Sequence, residues 1–164
     1  MKLLAVFLLV SSVVVQASGN PRICSTQTSI TCPSGWTLIN NRCFLYVPKV
    51  MTWANAEKNC LSLEANLASV HNKTEYHQVK ALIAAASGES TEAWIGGSDG
   101  QQEKIWLWSD GSLMIYTDWC PGQPDNSKDN QNCLVMNWSD NKCWDDHLCD
   151  VSRPSVCVKK SCPF

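Results

Sequence analysis

The chain has 164 residues, with 13 basic and 15 acidic side chains and a formal charge of −2 at neutral pH. So even a balance provides no basic surface for nucleic acid or an anionic membrane, and neither is expected as a partner. The compositional outliers are ten cysteines and eight tryptophans.

In chain order, the first segment is "MKLLAVFLLVSSVVVQASG". Lys2 precedes an apolar run from Leu3 to Val15, and "VQA" at 15–17 has the small-residue pattern of a cleavage site. Residues 1–17 are predicted to be a signal peptide, and the protein to be secreted and extracellular. The run is shorter than the roughly 20 apolar residues a bilayer requires, and no later segment reaches that length, so no membrane insertion is expected. About 147 residues follow, enough for one domain with its own core. In an exported chain the even set Cys24, Cys32, Cys43, Cys60, Cys120, Cys133, Cys143, Cys149, Cys157 and Cys162 reads as a disulfide framework.

"CPSGWTLINNRCFLYV" (32–47) places turn residues before aromatic and branched apolar ones, which predicts a short hairpin. In "MTWANAEKNCLSLEA", Thr52 is a helix cap and Trp53, Ala56, Cys60 and Leu61 form one inward face. "NKTEYHQVKALIAAA" (72–86) predicts a second helix, capped by Asn72 or Thr74, with Tyr76, Val79, Leu82 and Ile83 on one stripe. Beyond residue 87 come short runs, "AWIGG", "IWLWSDG", "CLVMNW" and "SVCVKK", broken by Gly, Asp and Asn, which read as short strands between long loops. Helices followed by strands, with little strict alternation, predict an α+β fold.

The chemistry is sparse. No CxxC pair occurs, and His71, His77 and His147 lack an HxxxH spacing, which argues against zinc. No Ser/His/Asp or Cys/His arrangement stands out, so no enzyme is expected. The remaining feature is "CPGQPDNSKDNQNC" (120–133), rich in side-chain oxygens. Its composition alone is that of a solvated turn.

"CPSGWTLINNRCF", "TWANAEKNC", "LASVHNKTE", "AWIGGSD", "WLWSDG", "QPD", "NC", "CWDDHLC" and "SVCVK" follow one another in an order that resembles the C-type lectin-like domain over nearly the whole mature chain. The resemblance implies a lectin-like domain over 32–158, an N-terminal segment over 18–31 and a tail over 159–164. It also implies bridges Cys32–Cys43, Cys60–Cys157 and Cys133–Cys149. A Cys120–Cys143 pair looks like one in secreted fish lectins and the related type II antifreeze proteins. It would close a ring of about 24 residues, worth roughly 3 kcal/mol in the chain-entropy account. Cys24 and Cys162 would then join the two ends.

In that family a calcium ion is held by the first and third residues of an E-P-N or Q-P-D triplet, a Glu two residues before the next cysteine, and the Asn-Asp of "WND". Carried over, these positions are Gln123, Asp125, Gln131, Asp145 and Asp146, with Pro124 expected to be cis. Gln131 replaces the usual Glu and Asp145 the usual Asn, so one carboxylate and one amide trade places. Three carboxylates and two amide oxygens still suit a hard divalent cation, with Asp129 and Asn132 as local spares. Two sugar hydroxyls would complete the calcium shell, each needing one carboxylate acceptor and one amide donor. Gln123 with Asp125 is the order associated with galactose, and Gln131 with Asp145 forms the second pair, reversed as well.

The resemblance therefore implies a calcium-dependent lectin that binds glycans of galactose type, as in innate defence against microbes. No aromatic residue lies between Asp125 and Cys133, so weak sites acting together are expected. A homo-oligomer would have to form through the domain surface, as no coiled coil is present. The alternatives are ice binding, as in type II antifreeze proteins, and calcium-independent protein recognition. The antifreeze chains carry a fifth bridge from a cysteine after "WIGGS" to a doubled cysteine, where this chain reads "IGGSDG" and "QNCL".

Of the tryptophans, Trp94, Trp106, Trp108 and Trp144 match structural positions of the family, Trp119 belongs to the core in its pattern, and Trp36 and Trp53 are expected to anchor the hairpin and first helix. His147, beside Asp146, is a candidate for pH sensitivity. Two sequons occur, Asn72-Lys73-Thr74, expected to be exposed, and Asn137-Trp138-Ser139, expected on a buried strand.

Overall fold

The computed structural model describes residues 31–159. Strands β1 (Thr37–Ile39) and β2 (Arg42–Met51) form the hairpin, followed by helix α1 (Trp53–Ser62), strand β3 (Asn66–Leu67) and helix α2 (Lys73–Ser87). Strands β4 (Ala93–Ser98), β5 (Leu107–Trp108), β6 (Cys133–Trp138), β7 (Cys143–His147) and β8 (Arg153–Lys159) complete the fold. The sheet runs β1-β2-β8-β4-β6-β7, with β3 joined to β8 and β5 to β4. Of the pairings between these strands only β4–β8, at Trp94 and Ser155, is parallel.

Both helices begin on side-chain caps. Thr52 accepts from Asn55 N–H and Asn72 Oδ1 from Glu75 N–H, so of the two caps read from the sequence it is Asn72 that serves, and Thr74 falls inside the first turn. Tyr76, Val79 and Ile83 of α2 are buried. On α1 only Ala56 and Cys60 are buried, and Leu61 is 56% exposed, contrary to the expected face. The Cys60–Cys157 bond fixes which side of α1 meets the sheet, and the next residue is turned about 100° away from it.

The strands read as continuous apolar runs because both faces of the sheet are covered. Alternate residues enter two separate cores. Ile95, Leu134, Met136, Val156 and Val158 pack with Tyr76, Val79 and Ile83 of α2, whereas Trp94, Val135, Cys133 and Cys157 pack with Ala56 and Cys60 of α1. All eight tryptophans lie in or against these cores. Gly96 cannot carry a side chain, since an added Cβ would lie 2.7 Å from Leu67 O and 2.8 Å from Ser109 Oγ.

Among the described residues four disulfides are formed, Cys32–Cys43, Cys60–Cys157, Cys120–Cys143 and Cys133–Cys149. Cys24 and Cys162, the predicted signal peptide, the segment to residue 30 and the tail from residue 160 lie outside the described residues. Among the described residues no helix is long and apolar enough to cross a membrane.

A buried ion pair ties the hairpin to α2. The Arg42 guanidinium lies 2.6 Å from a Glu75 carboxylate that is fully buried and also accepts from His71 N–H. Arg42 further donates to Ser69 Oγ and Ser69 O. Changing Glu75→Gln leaves that guanidinium buried without its counter-charge, and chemical denaturation is expected to show a loss of about 3 kcal/mol.

Candidate functional site

The site grows from the far edge of the sheet. Among the named strands β7 pairs only with β6, and it has the sequence Cys-Trp-Asp-Asp-His. Adjacent acidic residues are poor strand formers, which is why the sequence alone does not mark this segment as a strand. It is held by its neighbours. Asp145 lies opposite Val135 and Asp146 opposite Leu134. Trp144, fully buried, meets the rings of Tyr76, Trp108, Tyr116 and Trp119 edge-on at 5.6–5.8 Å.

The connection between β5 and β6 folds back onto β7. Trp144 N–H donates to Asp118 O and Cys120 N–H to Trp144 O, both at 2.8 Å, and the Cys120–Cys143 disulfide locks that register. Further on, both Asp146 carboxylate oxygens take backbone donors of the loop, Asp125 N–H at 3.0 Å and Asn126 N–H at 2.6 Å. Gln131 Nε2 returns the link, donating to Asp146 O at 2.9 Å. Asp125 Oδ1 accepts from Ser127 N–H, opening a tight turn in which Lys128 and Asp129 have positive φ. The Gln123–Pro124 peptide is cis.

Asp125, Gln131, Asp145 and Asp146 are thus gathered around one edge, with Gln123 at the near end of the same loop. Three of the five carry a buried side-chain oxygen with no hydrogen-bond donor: Gln123 Oε1, Gln131 Oε1 and Asp145 Oδ1. Unpaired oxygens of this kind cost on the order of 1–3 kcal/mol each. The charge pattern is equally unfavourable. Asp145 is 2% exposed, and burial, then the nearby Asp146 and Asp125 carboxylates, push its pKa up to about 7. Burial also raises Asp146, against the opposing hydrogen bonds from Asn126 and Asp125. His147 offers no counter-charge, because burial and then Arg153 lower its pKa. Arg153 itself pairs with Glu92.

Clustered acceptors without donors are a donor set for a hard cation. Among the described residues no group of three or more His, Cys, Asp or Glu side chains could hold a metal alone. A cation here has to draw on the amide oxygens of Gln123 and Gln131 together with the carboxylates. Asp145 and Asp146 alternate along β7, and both would help to hold such an ion. The two spares named from sequence behave differently from each other. Asp129 is exposed, whereas Asn132 is half-buried and its backbone oxygen accepts from Asp99 N–H.

Two residues escaped the sequence reading. Asn126 knits the loop, accepting from Gln131 N–H at 2.8 Å and donating to Glu103 at 2.7 Å. Asp99, 3% exposed, accepts from Lys104 N–H through one oxygen while the other has no donor. An Asn directly after "QPD" and an Asp in "SDG" were the available signals, and both pass for ordinary turn residues.

This architecture defines a disulfide-stapled binding domain with a donor-poor cluster of acceptors at one loop–strand edge. Residues 49–159 match the family described as the Lectin C-type domain, and the chain belongs to that family, a family of binding proteins rather than enzymes. It is 40% identical over 140 residues to Ladderlectin of Oncorhynchus mykiss, covering 85% of this chain and 74% of that protein. It is 41% identical over 129 residues to Galactose-specific lectin nattectin of Thalassophryne nattereri, covering 79% and 80%. The solved structure of a Ca2+-dependent type II antifreeze protein in its Ca2+-free form matches with a TM-score of 0.73 and 41% identity, covering 79% of this chain and 100% of that one.

The raised Asp145 pKa has a signed consequence. The unfolded carboxyl ionises near the ordinary 3.8 and the folded one near 7, so folding is penalised increasingly as pH rises between those values and fully above them. In chelator at about pH 8, Asp145→Asn is expected to raise stability by at least about 1 kcal/mol, and the gain should vanish near pH 4. Denaturant midpoints at the two pH values check this.

Proposed function

We propose that the protein is a secreted, calcium-dependent lectin of galactose-binding type, with its domain over 32–158 and Gln123, Asp125, Gln131, Asp145 and Asp146 forming a shared calcium and sugar site. The observation that carries this reading is the trio of buried, donorless oxygens on Gln123, Gln131 and Asp145. The name of nattectin, a galactose-specific lectin, supports the sugar class.

When bound, the ion supplies a hard positive centre that relieves the mutual repulsion of Asp125, Asp145 and Asp146 and takes sugar hydroxyl oxygens into its shell. The residues do the discriminating. Asp125 and Asp145 accept hydroxyl protons, while the amides of Gln123 and Gln131 donate, so each hydroxyl finds one partner of each kind. Gln131 Nε2 gives one of its two hydrogens to Asp146 O and keeps the other for a sugar hydroxyl. With no aromatic platform in the loop, the single site is weak. Useful adhesion to microbial glycans then depends on several copies presented together.

Ice binding remains the competing reading, because the antifreeze structure is as similar in sequence as the lectins are. The cysteine pattern favours the lectin, since the fifth bridge of the antifreeze chains has no counterpart where this chain reads "IGGSDG" and "QNCL". A thermal hysteresis assay on the calcium-loaded protein is expected to show no ice-growth inhibition, and clear hysteresis would overturn the lectin reading.

Calcium at about a hundredfold over its dissociation constant is expected to stabilise the protein by about 2.7 kcal/mol. That gain should be lost in Asp145→Ala and Asp125→Ala, as read by thermal melts with and without EGTA. Retention on galactose resin should be reversed by EGTA and competed better by galactose than by mannose. Mannose preferred over galactose would reject the sugar assignment alone, and melts indifferent to calcium would reject the whole site.

A further inference from the structure

Neither the two cores nor the loop–strand edge uses the sequon Asn72-Lys73-Thr74. The structure shows how Asn72 can be modified without losing its structural task. Asn72 stands in extended backbone at the N-cap of α2, and its Oδ1 accepts from Glu75 N–H at 2.9 Å. Its backbone oxygen accepts from Tyr76 N–H at 3.0 Å. Capping therefore occupies the two oxygens and makes no demand on the side-chain nitrogen. Asn72, Lys73 and Thr74 are all exposed.

The second sequon is built in the opposite way. Asn137 lies on β6 with no exposed surface, and its Nδ2 donates to Thr91 O at 3.0 Å. A sugar on that nitrogen would remove a buried donor and fill space occupied by packed side chains.

We propose that Asn72 is an N-glycosylation site and Asn137 is not, so that the protein carries one oligosaccharide, at the first turn of α2. The inference rests on the proposed export of the chain. The chemistry is a displacement with no change in oxidation state. A bond forms between Asn72 Nδ2 and C1 of the sugar, the nitrogen loses a proton, and the C1–O bond to a lipid-linked pyrophosphate donor breaks as the pyrophosphate leaves. The product amide keeps its carbonyl, so the cap on Glu75 N–H survives and α2 still starts at the same residue. The exposed chain around the cap leaves room for the oligosaccharide in solvent.

The test expresses the full chain in vertebrate cells with its own leader and, in parallel, with the leader of a protein known to be secreted. Intact mass is measured before and after peptide:N-glycanase digestion. The mass is expected to fall by one oligosaccharide, with residue 72 recovered as Asp in the peptide map. Thr74→Ala and Asn72→Asp should both abolish the shift, and because each keeps the capping oxygen, their melting temperatures should match the enzyme-treated protein. Ser139→Ala, which removes the second sequon, should leave the mass shift unchanged. If only the borrowed leader delivers modified protein to the medium, the export reading falls and the glycosylation site stands. Secreted protein with no glycanase-sensitive mass, or an oligosaccharide on Asn137, overturns the inference.

Discussion

Double coverage of the sheet is the constraint on which the rest of the structure depends. With α1 and its core on one face and α2 with its core on the other, interior positions favour packed apolar side chains or polar groups with dedicated partners. Polar chemistry is driven to the uncovered edge, β7, where a loop can lie against the strand. The staples follow from the same geometry. Cys60–Cys157 fastens α1 to the central strand β8, and Cys120–Cys143 and Cys133–Cys149 fasten both ends of the β6–β7 region to the chain beside it.

The edge itself carries opposing demands. Trp144 supplies cohesion through four edge-on aromatic neighbours, each such pair worth on the order of 0.5–1.5 kcal/mol beyond its buried area. One residue further along, Asp145 is buried against like charges and ionises only near neutral pH. A strand that holds a repulsive, donor-poor cluster beside its best-packed residue trades stability for a prearranged set of acceptors. Asp146 reconciles the two roles. Its carboxylate takes two backbone donors of the loop and retains lone pairs for a ligand.

Much of the fold was legible in the sequence. The caps at Thr52 and Asn72, the stripe Tyr76, Val79 and Ile83 and the strand runs "AWIGG", "CLVMNW" and "SVCVKK" follow local rules, because periodicity and capping act over a few residues. The misses are equally local in origin. Leu61 fits the helical spacing yet is exposed, since a distant bridge at Cys60 decides the docked face. The strand β7 was hidden because Asp145 and Asp146 contradict strand propensity and are held there by β6 and the loop.

By itself the sequence determined the α+β class, the order of the elements, the C-type lectin resemblance and the residue types able to meet a hard cation, all of which reside in spacing and composition. Only the tertiary structure decided which oxygens lack donors, which carboxylate is pushed toward neutral pH, and that Asn126 and Glu103 brace the loop. Those properties depend on burial and on partners distant in the chain, 23 residues apart for Asn126 and Glu103. Desolvation and hydrogen-bond satisfaction exist only once the chain has closed around them.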